Sequence, residues 1–168
     1  MTKNNNLTDL NITYVNSVAD AASELVLDNS KVILTAEPSL SSFEGKIANL
    51  KYISVAEEYA KINDSFEMPQ AALFARSDIN QDIANRYLTY IEDSINRVNT
   101  NIEESAELGS TLFPSFTKEA VVNAIPRCEL DFVKSTDAEE RCEAFFEMLN
   151  NVNANIIGGA IDEDFYYQ

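Results

Sequence analysis

Between Ile12 and Arg76 the chain alternates short runs rich in β-branched and aromatic residues with stretches whose apolar residues recur at helical spacing. No other feature constrains the fold as much. Strands interleaved with helices are ordinarily parallel and joined by right-handed crossovers. Ile12-Thr13-Tyr14-Val15 reads as a first strand. Val32 to Ala36 is almost wholly apolar, as a strand covered on both faces should be. Tyr52-Ile53-Ser54-Val55 and Ala71 to Arg76 read as a third and a fourth, with Ser77-Asp78 closing the last. Leu130-Asp131-Phe132-Val133 is a further extended run.

Helices are expected between and after these runs. Ser17 is placed to cap one, with Asp20 in its first turn and Val18, Ala22, Leu25 and Val26 as its inner stripe; Asp28-Asn29-Ser30 ends it. Pro38 suits the first turn of a short helix using Leu40, Phe43 and Ile47, which Gly45 weakens. Glu57 to Ile62 offers one or two turns. Ile83, Tyr87, Ile91, Ile95, Val98 and Ile102 step by four or three residues, and Thr100 with Glu103 has capping-box spacing, which breaks this long region in two. Thr117 opens another helix that Pro126 should stop. Thr136 with Glu139 is a second capping box, before a stripe of Ala138, Cys142, Phe145, Leu149 and Val152. Gly158-Gly159 ends regular structure, leaving Asp162-Glu163-Asp164 and a closing Phe165-Tyr166-Tyr167 that should pack the tail down.

The expected fold is therefore α/β. A three-layer lobe over residues 7–78 carries a small, mostly parallel sheet of four to five strands, and a helix-rich part over 79–168 packs on it as one partial unit. The loop from Leu112 to Phe116 separates the halves.

Composition removes several function classes. The 168 residues hold 28 acidic against 12 basic side chains, a formal charge of −16, so long-range repulsion opposes DNA, RNA and anionic lipid. Solubility is the simplest use of that charge. Acidic pairs such as Glu57-Glu58 and Glu103-Glu104 read as solvated helix faces. There is no histidine, which excludes a Ser-His-Asp or Cys-His device within the chain. Two widely spaced cysteines, Cys128 and Cys142, do not make a zinc site. A disulfide between them would close a loop of about 15 residues, yet Cys142 lies on an apolar helical stripe, which favours two free thiols. No metal or cofactor is expected. The start, Met1-Thr2-Lys3-Asn4-Asn5-Asn6, has no apolar h-region.

Open α/β sheets bind ligands in the crevice at strand ends. Two motifs fall there, Val32 to Pro38 and Met68-Pro69-Gln70-Ala71. Glu37 would accept hydrogen bonds from a ligand amine or hydroxyl, or else cap backbone amides before Pro38. Gln70 offers a donor and an acceptor, or else is a satisfied loop amide. Ser39, Ser41 and Ser42 begin a helix, where free amides attract a sulfonate or carboxylate but where ordinary capping is commoner. Arg127 follows a proline and would pair an anion bidentately; an ion pair with a nearby carboxylate is the simpler reading in so acidic a chain. The ligand-site candidates are thus Glu37, Gln70, Ser41 and Arg127. The aromatics Phe43, Tyr52, Tyr59, Phe66 and Phe74 read mostly as core.

Taken in order, Ile12 to Val15 with Ala19 to Leu27, Leu34-Thr35-Ala36-Glu37-Pro38, Pro69-Gln70-Ala71, Ala124-Ile125-Pro126-Arg127-Cys128, Ile157-Gly158-Gly159 and the closing Asp164-Phe165-Tyr166-Tyr167 resemble the solute-binding proteins of ABC importers. The nearest branch is the type II proteins that bind sulfonates, nitrate or thiamine precursors. The resemblance, from about Leu7 onward, implies a non-enzymatic extracytoplasmic receptor lobe. It would take a small polar or anionic solute by hinge closure and deliver it to a permease. It also implies that this is the second lobe, with the first lobe, signal peptide and lipidation cysteine outside it, whether by excision or in a shortened gene. The alternative is an interaction or regulatory module that self-assembles, or pairs with a separate lobe, through the apolar surface so exposed.

Overall fold

The computed structural model describes residues 10–28, 30–62, 68–159, 161 and 165–167; Leu7, Asn29, Phe66, Asp162-Glu163-Asp164 and the start at Met1–Asn6 lie outside them. In chain order the helices are α1 (Val18–Leu27), α2 (Ser39–Phe43), α3 (Val55–Ile62), α4 (Gln81–Thr100), α5 (Ile102–Leu112), α6 (Lys118–Arg127) and α7 (Ser135–Val152), followed by a 3-10 turn at Ala154–Ile156. No strand occurs among the described residues. The expected α/β lobe, with its mostly parallel sheet of four to five strands, is therefore corrected to a helical fold. The reason is physical. A strand is held by a ladder and by burial of its faces. Ile12–Val15, Val32–Ala36 and Ala71–Arg76 carry no regular secondary structure and no ladder among the described residues. Val32 is 96% exposed, and Leu34, Ile53 and Phe74 also face outward. Val55 is drawn into α3, where the Ser54 hydroxyl accepts from Glu57 N at 3.2 Å in the first turn.

The chain divides into two compact units. The first comprises the chain up to Leu50 together with Asn101–Glu129, and so holds α1, α2, α5 and α6. Ser17 caps α1 as its position implies, its side chain accepting from Asp20 N at 3.0 Å. Ala21, Ala22 and Leu25 are buried, whereas Val18 and Val26 of the expected stripe are exposed. Asp28 ends the helix and accepts from both the backbone and the hydroxyl of Ser30; those bonds lower its pKa.

The main packing in this unit is between α5 and α6, and small residues set it. Ala106 on α5 is completely buried, and Ala120, Ala124 and Ile125 on α6 almost completely. A methyl added at Gly109 would stand 3.3 Å from Val121 Cγ1, which shows how closely the helices approach. Lys118 and Glu107 pair at 2.8 Å on the rim, and that bond holds the Glu107 carboxyl below its usual range. Thr117 caps α6 by accepting from Ala120 N at 3.2 Å. The helix does not stop at Pro126. It runs to Arg127 with the proline in its last turn, and Cys128 N closes it onto the Ala124 and Ile125 carbonyls.

The second unit comprises Lys51–Thr100 and the chain from Leu130 onward, and holds α3, α4, α7 and the 3-10 turn. The break between α4 and α5 falls where the capping box suggests, but Asn101 is the cap residue and Thr100 Oγ1 turns back onto the Asn96 carbonyl at 2.7 Å. Helix α7 begins at Ser135 with Lys134 in the cap position, two residues before the expected cap Thr136. The tail does pack down: Phe165 meets Phe74, Phe146 and Tyr166 edge to face, Tyr167 OH donates to Asn85 Oδ1 at 3.2 Å, and Ser135 Oγ donates to the Tyr167 carbonyl.

The α5–α6 seam leaves no room for a larger side chain. Ala106→Leu is expected to cost about 1–3 kcal/mol by overpacking, read as a lower urea midpoint; an unchanged midpoint would mean that the helices are not in close contact.

Candidate functional site

Three of the four candidate residues converge in the first unit. Pro38 precedes α2, and Glu37 just before it folds back so that its Oε2 accepts from Ser41 N at 3.1 Å. Arg127 reaches this point from the last turn of α6. Its Nη1 donates to Glu37 Oε1 at 3.4 Å and to Ser41 Oγ at 3.2 Å, and its Nη2 donates to Glu44 Oε1 at 2.6 Å. Asn123, one helical turn earlier, donates to the other oxygen of Glu44 at 3.1 Å. The Glu37 side chain is 11% exposed, and those of Arg127 and Glu44 are about a quarter to a third exposed. Ser41 is buried.

These contacts match the simpler reading of each residue. The guanidinium fork of Arg127 is engaged by two carboxylates and a hydroxyl, an ion-pair arrangement. Glu37 caps the start of α2, the simpler of its two roles. Ser42 bonds back to the Pro38 carbonyl at 3.0 Å. The cluster is thus a clasp that fastens a five-residue helix, too short to persist alone, onto α6. Glu44 and Asn123 belong to it and are not among the residues that the sequence singles out. Nothing in local spacing links them, since Glu44 and Asn123 are 79 positions apart.

Gln70 is not part of this cluster. It is exposed, in the extended run before Ala71, and belongs to the other unit. The strand-end crevice that suggests Glu37 and Gln70 has no sheet to form it among the described residues. An open groove of about 640 Å³ lies along α4, lined by Tyr90, Asp93, Ser94, Asn96, Arg97 and Thr100, all from that one helix. Among the described residues no group of histidine, cysteine and carboxylate side chains could hold a metal ion, and no helix is long and apolar enough to cross a membrane.

Both cysteines are free and lie in different units. Burial pushes the Cys128 thiol up, and the Glu37 carboxylate raises it further. Burial also raises Cys142, against a smaller opposing effect of Arg141. Burial likewise raises Tyr166, whose hydroxyl has no hydrogen-bond partner among the described residues; Thr35 Oγ1 is in the same position. Comparison with protein-family models, curated proteins and solved structures gave no match for this chain.

Two outcomes follow from the clasp. Arg127→Ala leaves two carboxylates facing each other and is expected to destabilise the first unit by about 1–2 kcal/mol, partial exposure keeping the loss modest. Arg127→Lys should recover only part, because an ammonium lacks the fork; an unaltered urea midpoint in both variants would leave Arg127 without a structural role. Alkylation of Cys128 should reach half its maximal rate at a higher pH than free cysteine does. Glu37→Gln should lower that midpoint, and an unshifted midpoint would remove Glu37 as a cause.

Proposed function

We propose that this chain is a protein interaction module whose apolar faces are completed by another protein surface. One observation carries the reading: the division of apolar side chains between inside and outside. The buried apolar set among the described residues is six alanines with Leu25 and Ile125, and no large side chain is fully buried. Alanine buries little area, whereas covering a leucine, isoleucine or phenylalanine stabilises by roughly 1.5–3 kcal/mol. Here such residues stand outside. Leu10, Ile12, Val32, Leu34, Ile53, Leu73, Phe74, Ile83, Leu108, Leu112 and Phe113 are all exposed. Single exposed apolar residues are ordinary, but runs of them mark interaction surfaces.

The polar chemistry supports binding in preference to catalysis. The cluster of Arg127, Glu37, Glu44 and Asn123 directs hydrogen bonds among its own members and joins α2 to α6. Helix α4 presents a long amphipathic face. The net charge of −16 adds a selective element. It opposes encounters with acidic surfaces at low salt and is screened beyond about 8 Å at physiological ionic strength.

A hydrophobic dye that fluoresces on apolar protein surface tests this reading. The dilute chain should bind it while retaining its helical circular dichroism signal. A helical chain that leaves the dye dark would contradict the reading, because its large apolar residues would then be covered within one molecule.

A further inference from the structure

Helix α4 is the one long helix whose apolar face divides cleanly into an inner and an outer half. At about 100° per residue, Tyr90, Ile83, Ser94, Tyr87, Val98, Ile91, Ala84, Ile95 and Leu88 occupy one continuous arc of about 160°. The half carrying Ala84, Leu88, Ile91 and Ile95 is buried or half-buried. The other half is open: Ile83 is 61%, Tyr87 56% and Tyr90 59% exposed. The helix is fastened to its own unit on the side away from this strip, where Asn85 receives Tyr167 OH and Asn99 donates to the Leu130 carbonyl at 2.8 Å. Among the described residues no other helix packs on α4.

The charges beside the open strip say what fits it. Along that flank the order is Asp82, Arg86, Asp93, Arg97, alternating negative and positive. Reversing the helix direction turns this order into its own complement. Asp82 and Arg97 share a midpoint with Arg86 and Asp93, so an antiparallel copy aligned about that midpoint sets Arg86 against Asp93 in both directions. The apolar strip obeys the same symmetry, since Ile83 with Ser94 and Tyr87 with Tyr90 are centred one residue away, the offset between seam and flanking positions of an antiparallel pair. In-register parallel pairing would set like charges together. A twofold interface is self-complementary by construction, and this strip has that property.

We propose that the Ile83–Tyr87–Tyr90 strip of α4 pairs antiparallel with the same strip of a second copy, with Arg86 and Asp93 bridging between the two. This rests on the interaction-module reading and supplies its partner. Two 20-residue helices run about 30 Å side by side, an interface at the small end of specific contacts, so the dimer should dissociate at micromolar concentration.

The test is sedimentation equilibrium of the full chain across that range, with charge-swapped variants, at physiological ionic strength, where repulsion between two copies of charge −16 is screened. The native chain should show a reversible monomer–dimer equilibrium. Arg86→Glu alone and Asp93→Arg alone should each weaken it by about tenfold or more. The double variant should return it to within about threefold of native. That recovery can arise only between molecules. Within one helix the double swap puts a carboxylate at position 86 one turn from Asp82, and a guanidinium at position 93 one turn from Arg97, both at repulsive spacing. Tyr87→Asp should abolish the dimer while circular dichroism shows the helices intact. A native chain monomeric throughout, or a dimer indifferent to all four variants, would overturn the α4 pairing. Either result leaves dye binding, and so the interaction-module reading, standing or falling by itself.

Discussion

The first unit depends on how closely α5 and α6 approach, and that approach depends on small side chains. Ala106, Gly109, Ala120 and Ala124 bring the two backbones together and seal the seam. Close packing of this kind yields many weak dispersion contacts but little apolar area removed from water. The same choice leaves the large residues of α5, such as Leu108 and Leu112, on the outside. Among the described residues the buried apolar set is mostly alanine, so much of the larger apolar area is left uncovered.

The charged clasp around Arg127 follows from the same shortage. Helix α2 has five residues and little apolar area to hold it. A guanidinium shared by Glu37, Ser41 and Glu44 provides a directional substitute. It also sets the environment of Cys128, whose thiol feels the Glu37 carboxylate directly. Glu37, Ser41 and Arg127, separate polar positions in the linear chain, here join α2 to α6.

The features legible in the sequence are those governed by neighbours a few residues away. Ser17 and Thr117 cap as their spacing implies, because a cap bond spans three residues. The interruption after Thr100 is legible for the same reason, although Asn101 takes the cap position. The sheet is a misreading because a strand is defined by a partner distant in sequence. Val32 to Ala36 has the composition of a doubly covered strand, yet composition cannot show whether anything covers it. Pro126 misleads in a smaller way: it forfeits one bond, to the Val122 carbonyl, but Cys128 N still closes the helix onto the Ala124 and Ile125 carbonyls, so α6 runs one residue past it. Glu37, Ser41 and Arg127 are legible as polar residues at chain turns, but their mutual engagement across 86 to 90 positions is not. Gln70 is exposed and lies outside that cluster.

Helix α4 joins these lines of argument. Its inner half serves its own unit and its outer half carries a charge order complementary to its own reverse. Hydrogen exchange of the α4 amides measured over a wide range of chain concentration addresses the central claim, that the exposed apolar surface is completed between molecules. Protection over Ile83 to Asp93 that rises with concentration, while the α5–α6 seam stays constant, is the result this account predicts. Protection of α4 that is identical at every concentration would contradict it.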